Sequence, residues 1–386
     1  MTNDLRPSLK QKLRSIGKTN FVEGVHKAGI SHLLGNKFAG IGSVFMFHEI
    51  MRDKDDRLGQ GFTITDFEAV LNFIAKKGRD FVTLSEAKRR LQEEGENAKP
   101  FVALTFDDGY RDNIELALPV MEKFQAPATI FVPTEMATRE INAWWLALRE
   151  LVTLNSVLDI EPLGEVFTCE TTAEKSNLYW LMIAWIWDDF TRANAFEAVL
   201  QRYGVQMPDL VARYAMDVDE VRSADHHPLI SIGAHTVSHR ALATLSDEEA
   251  LAEMENNKLW LEDLLQREVP HFAYPYGRPA IGGGREAALA RAAGFDIAVT
   301  TDAGNVFEEH GQVDNLMLWP RENGELSSDV RSSTAWALNG TWRALRSRLS
   351  EPRANIGVLE AYDDENGVSS NAVESANEPA TQYAAG

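Results

Sequence analysis

Short apolar runs alternate with stretches of helical periodicity through most of the chain. The runs Gly42–Phe47, Phe101–Phe106 and Ala128–Val132 each end in a polar or turn-forming residue, which is typical of buried strands. Apolar residues at helical spacing follow in 67–77 and 114–124. This alternation predicts βα units arranged around a parallel sheet.

The second half of the chain continues the pattern. Four further runs have the length and apolar character of strands: 229–233, 271–274, 296–300 and 315–319. Helices are predicted over 246–265 and 286–293, and Ser246 with Glu249 forms a capping-box pattern at the start of the first. The repeated order of strand and helix predicts an α/β fold.

Changes in composition predict how the chain is organised. A basic helical lead-in occupies 1–40, and the α/β body covers 41–325. Within the body, 137–225 is rich in Trp and Leu and has few strand signals, which predicts a helical insertion. A helical segment follows at 326–351. Residues 352–386 are acidic and poor in apolar side chains, which predicts a disordered tail.

The predicted insertion holds five tryptophans: Trp144, Trp145, Trp180, Trp185 and Trp187. Aromatic residues at helical spacing usually pack into a core, and this is the favoured interpretation. The alternative is that some of them line a groove in which aromatic faces stack on sugar rings.

The net charge of the chain limits the kinds of molecule that it is expected to bind. The chain of 386 residues carries 38 Lys and Arg against 58 Asp and Glu, a formal net charge of −20. An acidic surface repels phosphate groups, so the composition argues against nucleic-acid binding. Basic residues are concentrated in the lead-in, and weak peripheral contact of that segment with a membrane surface is the alternative to a plain surface helix.

The sequence also bears on location and redox chemistry. No run reaches the roughly 20 apolar residues that span a bilayer, and residues 1–20 lack the apolar stretch of a secretory signal. A cytoplasmic location is therefore expected. The single cysteine, Cys169, excludes an internal disulfide framework.

Two carboxylates follow the strongest strand candidate. Asp107 and Asp108 come directly after Phe101–Phe106, at the strand end where α/β barrels place their active sites. Neighbouring side chains diverge in a turning backbone, so one Asp can bind a metal while the other faces a substrate. A plain Asp-Gly turn explains the same residues and is the alternative.

Two histidines follow the strand candidate 229–233. His235 and His239 are four residues apart, and this spacing predicts that their side chains share one face of a helical turn and reach one ion. Zinc accepts imidazole nitrogen and carboxylate oxygen. Two histidines and Asp108 leave one coordination position open, which is the arrangement of a catalytic metal site.

Four further residues complete the constellation. Pro275 and Tyr276 follow an apolar strand candidate, and they are candidates for a pocket wall and a sugar contact. His48 follows the first strand, so a closed barrel brings it to the same rim as the metal ligands. Arg321, after the last strand candidate, is placed to pair with a carboxylate and hold it ionised.

The motifs TFDDGY, ATIFVPT, GAHTVSH and FAYPYG occur in this order along the chain. Together they resemble the motifs of the polysaccharide deacetylase family, also called carbohydrate esterase family 4 or the NodB-homology group. The resemblance covers roughly residues 40–325, with 137–225 as an insertion. It implies a distorted (β/α) barrel with fewer than eight strands.

The resemblance also implies roles for individual residues. Asp107 corresponds to the general base of the family. The implied metal ligands are Asp108, His235 and His239. The backbone N–H of Tyr110 corresponds to a donor that stabilises the oxyanion.

The chain departs from the family pattern in two places. The third motif lacks the usual Arg that contacts the base, and the usual C-terminal Leu-x-His is not evident, since the only later histidine, His310, lies in a polar context. A subgroup similar to biofilm-polymer deacetylases takes its acid histidine from the first strand, and Met46-Phe47-His48-Glu49 looks like that arrangement. We therefore predict that His48 is the general acid. Arg321 is predicted to orient the base, with Arg278 as the weaker candidate.

The implied activity is the metal-dependent removal of N-acetyl groups from an N-acetylglucosamine-containing poly- or oligosaccharide. Zn²⁺ fits the ligands, and Co²⁺, Ni²⁺ and Mn²⁺ fit nearly as well. An O-acetyl esterase or a small cyclic-amide hydrolase with the same site is one alternative. A non-catalytic carbohydrate-binding protein is another, and the intact base and metal ligands argue against it.

Overall fold

The computed structural model describes residues 37–52, 58, 61–276, 283–325 and 329–366. Most of the predicted basic lead-in and the end of the predicted acidic tail lie outside the described residues, as does Arg278.

Twelve strands occur in this described part of the chain: β1 (Gly42–Phe47), β2 (Ile50–Met51), β3 (Phe62–Thr63), β4 (Asp80–Val82), β5 (Phe101–Phe106), β6 (Ala128–Val132), β7 (Val157–Ile160), β8 (Glu165–Thr168), β9 (Ile230–Ala234), β10 (His271–Ala273), β11 (Ile297–Val299) and β12 (Glu322–Asn323). Seven of them follow one another around a curved wall in the order β11-β10-β9-β6-β5-β1-β12, and every pair is parallel. The short strand β4 pairs only with the first three residues of β5.

Residues just before β12 close the wall. Trp319 forms a parallel bridge with Val299 of β11, and Glu322 pairs with Phe45 of β1. One short segment therefore links the two edges of the sheet. The fold is the predicted distorted barrel, with seven strands in its wall and helices around it.

Fourteen α-helices lie within the described ranges: α1 (Ile64–Lys76), α2 (Leu84–Glu93), α3 (Leu118–Phe124), α4 (Thr134–Thr138), α5 (Trp144–Leu154), α6 (Thr172–Asp188), α7 (Glu197–Arg202), α8 (Met207–Tyr214), α9 (Val218–Asp225), α10 (Asp247–Leu265), α11 (Gly284–Ala292), α12 (Val330–Leu338), α13 (Thr341–Arg346) and α14 (Val358–Asn366). Ser246 and Glu249 form the expected capping box of α10. In the described ranges no helix is both long and apolar enough to cross a membrane.

The strands form because their apolar runs are buried on both faces. All six residues of β1 and all six of β5 are buried. Phe47 of β1 packs against Phe67 of α1 and Phe106 of β5, with ring centroids 5.1 and 5.4 Å apart. Continuous apolar runs of this kind belong to parallel sheets covered by helices.

The predicted insertion has a core of its own. Leu148 of α5, Met182 of α6 and Phe196 belong to one buried cluster that is separate from the main core. The segment also contains the antiparallel hairpin β7–β8, which the sequence prediction missed. Strand β7 has only four residues, and its exposed first position is the apolar Val157, so the alternation of polar and apolar residues that marks a half-buried strand is incomplete.

The predicted strand at 315–319 is wrong. Val313–Leu318 forms a 3-10 helix, and Trp319 alone bridges to the sheet. Arg321 therefore does not follow a strand; it lies between the bridge at Trp319 and the start of β12. The bridge at Trp319 and strand β12 hold the segment between them, and this fixes Arg321 at the inner wall of the barrel.

The acidic tail was predicted to be disordered from residue 352, and this is wrong for 358–366. Helix α14 packs on α11, where Leu359 is fully buried. The guanidinium of Arg291 donates two hydrogen bonds to the Asp363 carboxylate, at 2.7 and 2.8 Å. The acidic helix is stabilised by a basic partner on another element, which composition alone does not reveal.

Candidate active site

The carboxyl ends of the parallel strands bring the predicted site residues to one rim. His48 follows β1, Asp107 and Asp108 follow β5, and His235 follows β9. Because parallel strands all end on the same side, these side chains meet although the chain separates them widely. Arg321 reaches the same rim from the closing segment.

The backbone after β5 separates the two carboxylates. Asp108 and Gly109 both have left-handed backbone angles, with φ of 71° and 70°. Asp is among the few residues that adopt this conformation readily, and Gly109 has no side chain to meet Val132, 3.2 Å from where a Cβ would lie. The two left-handed residues turn Asp108 away from the direction of Asp107.

Asp108, His235 and His239 lie together, as predicted. Their candidate ligand atoms are all within 4.8 Å of one another. Asp108 Oδ1 is 3.5 Å from His235 Nε2 and 3.2 Å from His239 Nε2. All three side chains are buried.

The helical turn that was predicted to join the two histidines is absent. Residues 235–239 form a loop, which we call the histidine loop. Thr236 and His239 have positive φ values of 68° and 55°, and these reverse the chain so that the imidazoles converge. The Glu253 carboxylate holds the loop by accepting the backbone N–H groups of Val237 and Ser238, each at 2.9 Å.

Hydrogen bonds on the far side of His235 orient its ring. Its Nδ1 lies 2.7 Å from the carbonyl oxygen of Ala273, which fixes the proton on Nδ1 and leaves the Nε2 lone pair directed at Asp108. Its backbone N–H donates to Asn257 Oδ1 at 2.7 Å, and Asn257 also donates to the carbonyl of Val132. These contacts hold the ring at the junction of β6, β9 and β10.

This donor set fits a divalent metal ion. Burial lowers the pKa of His239, so its imidazole is neutral near pH 7, as a metal ligand must be. Burial opposes ionisation of Asp108, but contacts with His239 and His235 outweigh it, and the pKa of Asp108 lies well below its usual value. Two imidazole nitrogens and one carboxylate oxygen, all on buried side chains, form a site for a cation.

Arg321 contacts Asp107 in a two-pronged ion pair. Its Nη1 and Nη2 donate to Asp107 Oδ1 and Oδ2, each at 2.7 Å, and neither side chain is more than 4% exposed. The carbonyl of Thr300 and the hydroxyl of Thr105 accept its other N–H groups at 2.8 and 3.1 Å. Burial raises the pKa of Asp107, but the guanidinium outweighs it, so the pKa lies below its usual value.

His48 lies at the rim with a carboxylate beside it. Its Nδ1 is 3.4 Å from Glu325 Oε1, which also accepts the backbone N–H of His48 at 2.5 Å. Burial lowers the pKa of His48, but Glu325 outweighs this effect and the pKa rises to about 9. The imidazole is therefore protonated near neutral pH, as a general acid requires.

Aromatic residues of the insertion and of the segment after β10 cover the candidate metal ligands. The Trp145 ring lies 5.0 Å from the ring of His239, and its Nε1 donates to the hydroxyl of Tyr110 at 2.8 Å. The ring of Tyr276 lies 4.5 Å from that of His239. Pro275 is buried next to it.

Sequence analysis missed several residues of this site. Glu325 is separated from His48 by 277 positions and lies outside every motif, so nothing local marks it. Glu253 and Asn257 are one helical turn apart on α10, facing the histidine loop. Polar side chains on the face of a helix that points to the core are the one signal for them in the sequence.

His310 was not chosen as the acid in the sequence analysis. It is buried and hydrogen-bonded to the carbonyl of Ala354, and it does not belong to this site.

The sequence profile of the polysaccharide deacetylase family matches residues 94–157 and 181–297. These stretches contain β5, β6, β9 and β10 with both aspartates and both histidines of the site. Residues 158–180, within the insertion, are not matched.

Individual relatives are more distant. YxkH of Bacillus subtilis (strain 168), which is named after the same family, is 33% identical over 89 residues, covering 23% of this chain and 30% of that protein. The structure of IcaB from Ammonifex degensii has 17% identity and a TM-score of 0.48, covering 78% of this chain and 97% of that one. The Streptococcus pyogenes deacetylase PplD in complex with acetate has 20% identity and a TM-score of 0.44, over 72% and 90% of the two chains. TM-scores below 0.5 mark distant similarity and assign neither substrate nor mechanism to this chain.

Proposed function

Because the chain belongs to the polysaccharide deacetylase family, we propose that it is a metal-dependent hydrolase that removes N-acetyl groups from N-acetylglucosamine units of a poly- or oligosaccharide. One observation supports this above the others. A buried, Arg-paired carboxylate, Asp107, lies beside the cluster of Asp108, His235 and His239 at one rim of the barrel. This pairs a candidate base with a candidate metal site.

Asp108, His235 and His239 would hold the ion. When bound, a divalent ion supplies polarisation of the acetyl carbonyl and a lowered pKa for water. The aromatic side chains of Trp145 and Tyr276 lie against His239 and would limit access of further water to the ion.

Asp107 takes the proton from the attacking water. Its pKa is below the usual range, so the carboxylate is ionised at neutral pH. Each carboxylate oxygen accepts one hydrogen bond from Arg321 and keeps a second lone pair for the proton. Arg321 thus positions the base as well as keeping it ionised.

The attack joins the water oxygen to the acetyl carbon and gives a tetrahedral oxyanion. The backbone N–H of Tyr110 is proposed to donate to it. The bridge of Tyr110 to Ala215 is built from the N–H groups of Arg111 and Met216, so it does not use the N–H of Tyr110.

His48 gives its proton to the sugar nitrogen as the C–N bond breaks. An unprotonated amine anion is a very poor leaving group, so the step needs an acid. The products are acetate and a free amino sugar. After turnover His48 regains a proton from solvent, and Asp107 releases the one it took.

Acetate release tests this proposal. We expect the full-length, zinc-loaded protein to release acetate from chitooligosaccharides, and a chelator to abolish release until metal is added back. Acetylated xylan is the comparison substrate. Faster release from xylan favours the O-acetyl esterase alternative, and release that survives the chelator contradicts the metal-dependent mechanism.

A further inference from the structure

A cavity of about 250 Å³ opens beside His48, and its described lining includes neither Tyr276 nor residues 235–239. We call it the side cavity. Its polar and aromatic lining consists of His48, Glu49, Arg149, Tyr179, Trp180 and Glu325. Met51 of β2, Phe62 of β3, Leu58 and Gly61 also line it.

Two aromatic residues of the insertion form one wall of the side cavity. Tyr179 and Trp180 are consecutive in α6, with ring centroids 5.3 Å apart and planes at 69°. Trp180 is 48% exposed, although large aromatic side chains in this protein are mostly buried. A half-exposed indole at a cavity presents a broad apolar face to a ligand.

The side cavity shares one residue with the candidate active site. His48 lines the cavity and is the proposed acid. Helix α5 connects the two places along its length, because Trp145 lies on the His239 ring and Arg149, one turn later, lines the cavity. Four residues of helix span about 6 Å, so a single ligand can contact both.

The charged side chains among the described lining residues of the side cavity are paired with one another. Arg149 donates to both Glu49 carboxylate oxygens, at 2.5 and 3.0 Å. Glu325 has His48 as its cationic neighbour, 3.4 Å away. Each carboxylate therefore has a basic partner, and this favours an uncharged, hydroxyl-rich ligand over an acidic or phosphorylated one.

Aromatic faces combined with paired polar groups match the chemistry of a sugar ring, which has an apolar C–H face and a polar hydroxyl edge. The volume is below the range of about 300–1,000 Å³ that is typical of drug-sized ligands, so the side cavity suits one ring and not several. Tyr179 and Trp180 also belong to the stretch that the family profile does not match. The wall is thus a feature of this insertion.

We propose that the side cavity binds one uncharged pyranose ring of the glycan, adjacent to the sugar that carries the acetyl group, with Trp180 as its stacking surface. This proposal rests on the proposed function, because it places the neighbouring ring next to the sugar whose acetyl group is removed. It implies that a chain of sugars is a better substrate than a single acetylated sugar.

The test compares Trp180→Ala with Trp187→Ala. Both tryptophans are on α6 and about half exposed, but Trp187 does not line the side cavity. We measure kcat/KM for acetate release from chitotriose and from N-acetylglucosamine with the zinc-loaded full chain. The ratio of the two should fall about tenfold in Trp180→Ala, the order expected for one lost stacking contact, and stay unchanged in Trp187→Ala.

Direct binding separates this proposal from the proposed function. Titration calorimetry of chitotriose against the same three proteins should give weaker binding in Trp180→Ala alone, whether or not acetate is released. Absence of acetate release with intact Trp180-dependent binding contradicts the hydrolase and keeps the sugar site. Equal affinity in all three proteins, or an equal loss in both variants, overturns the sugar site.

Discussion

Arg321 and Asp107 are joined by two hydrogen bonds of 2.7 Å inside the barrel, across 214 positions of sequence. The fork of the guanidinium matches the two carboxylate oxygens, which lysine cannot reproduce. Replacing Arg321 by Met leaves a buried carboxylate without a partner and should destabilise the protein by about 3–5 kcal/mol. Urea unfolding at pH 7 measures this change.

The same pair sets the acid side of the pH profile. The folded-state pKa of Asp107 is lowered, so its stabilising effect is present above its unfolded pKa near about 4 and is lost as pH falls through the lower folded value. In Arg321→Lys the two-pronged contact with the carboxylate is lost, so the pKa of Asp107 should rise. The acid limb of the pH profile of kcat/KM should then move to higher pH. An acid limb at the same pH in both proteins argues that Arg321 does not hold the base ionised.

The His48 proton should be needed only when the leaving group is a poor one. We expect His48→Gln to lower kcat for N-acetyl glycans by about 100- to 10,000-fold, the usual contribution of general acid catalysis. Hydrolysis of p-nitrophenyl acetate, whose leaving group departs without a proton, should fall far less. An equal loss on both substrates would mean that His48 has a role other than acid.

Glu325 raises the pKa of His48, against the effect of burial, to about 9. A raised pKa adds stability below the unfolded value near about 6.5, and this is lost as pH rises through about 9. In Glu325→Gln the basic limb of the kcat profile should shift to lower pH. Gln keeps an oxygen to accept the backbone N–H of His48, so a loss of rate without a shift of that limb points to a steric role.

Helix α14 should contribute to the stability of the barrel. Leu359 is fully buried on α11, so Leu359→Ala is expected to cost about 2–5 kcal/mol of unfolding free energy. Glu360→Ala, its exposed neighbour on the same helix, should change it by less than about 0.5 kcal/mol. Equal small effects in both variants would indicate that α14 does not pack stably in solution.

The sequence alone was sufficient for six strands of the barrel wall and for the grouping of the predicted site residues. Runs such as Phe101–Phe106 are buried on both faces, so their apolar character identifies them without knowledge of the fold. Once strands are parallel, the residues after them must share a rim, which brings Asp107 to His48 and His235.

The remaining features depend on contacts that have no local signal. The four-residue spacing of His235 and His239 suggested a helical turn, but two left-handed residues and the Glu253 carboxylate produce the convergence. Arg321 was expected after a strand, yet one bridge and a two-residue strand position it. Its pairing with a carboxylate was predicted partly from that strand, although the strand itself is absent.

The central claim is that Asp107 acts as the base beside a metal held by Asp108, His235 and His239. Bound zinc and acetate release from chitooligosaccharides, measured in the same preparations of wild type and Asp107→Asn, test it most directly. We predict one zinc per chain in both proteins, and acetate release that falls by about 100-fold or more in Asp107→Asn. A variant that keeps its zinc and still releases acetate at the wild-type rate would contradict the account.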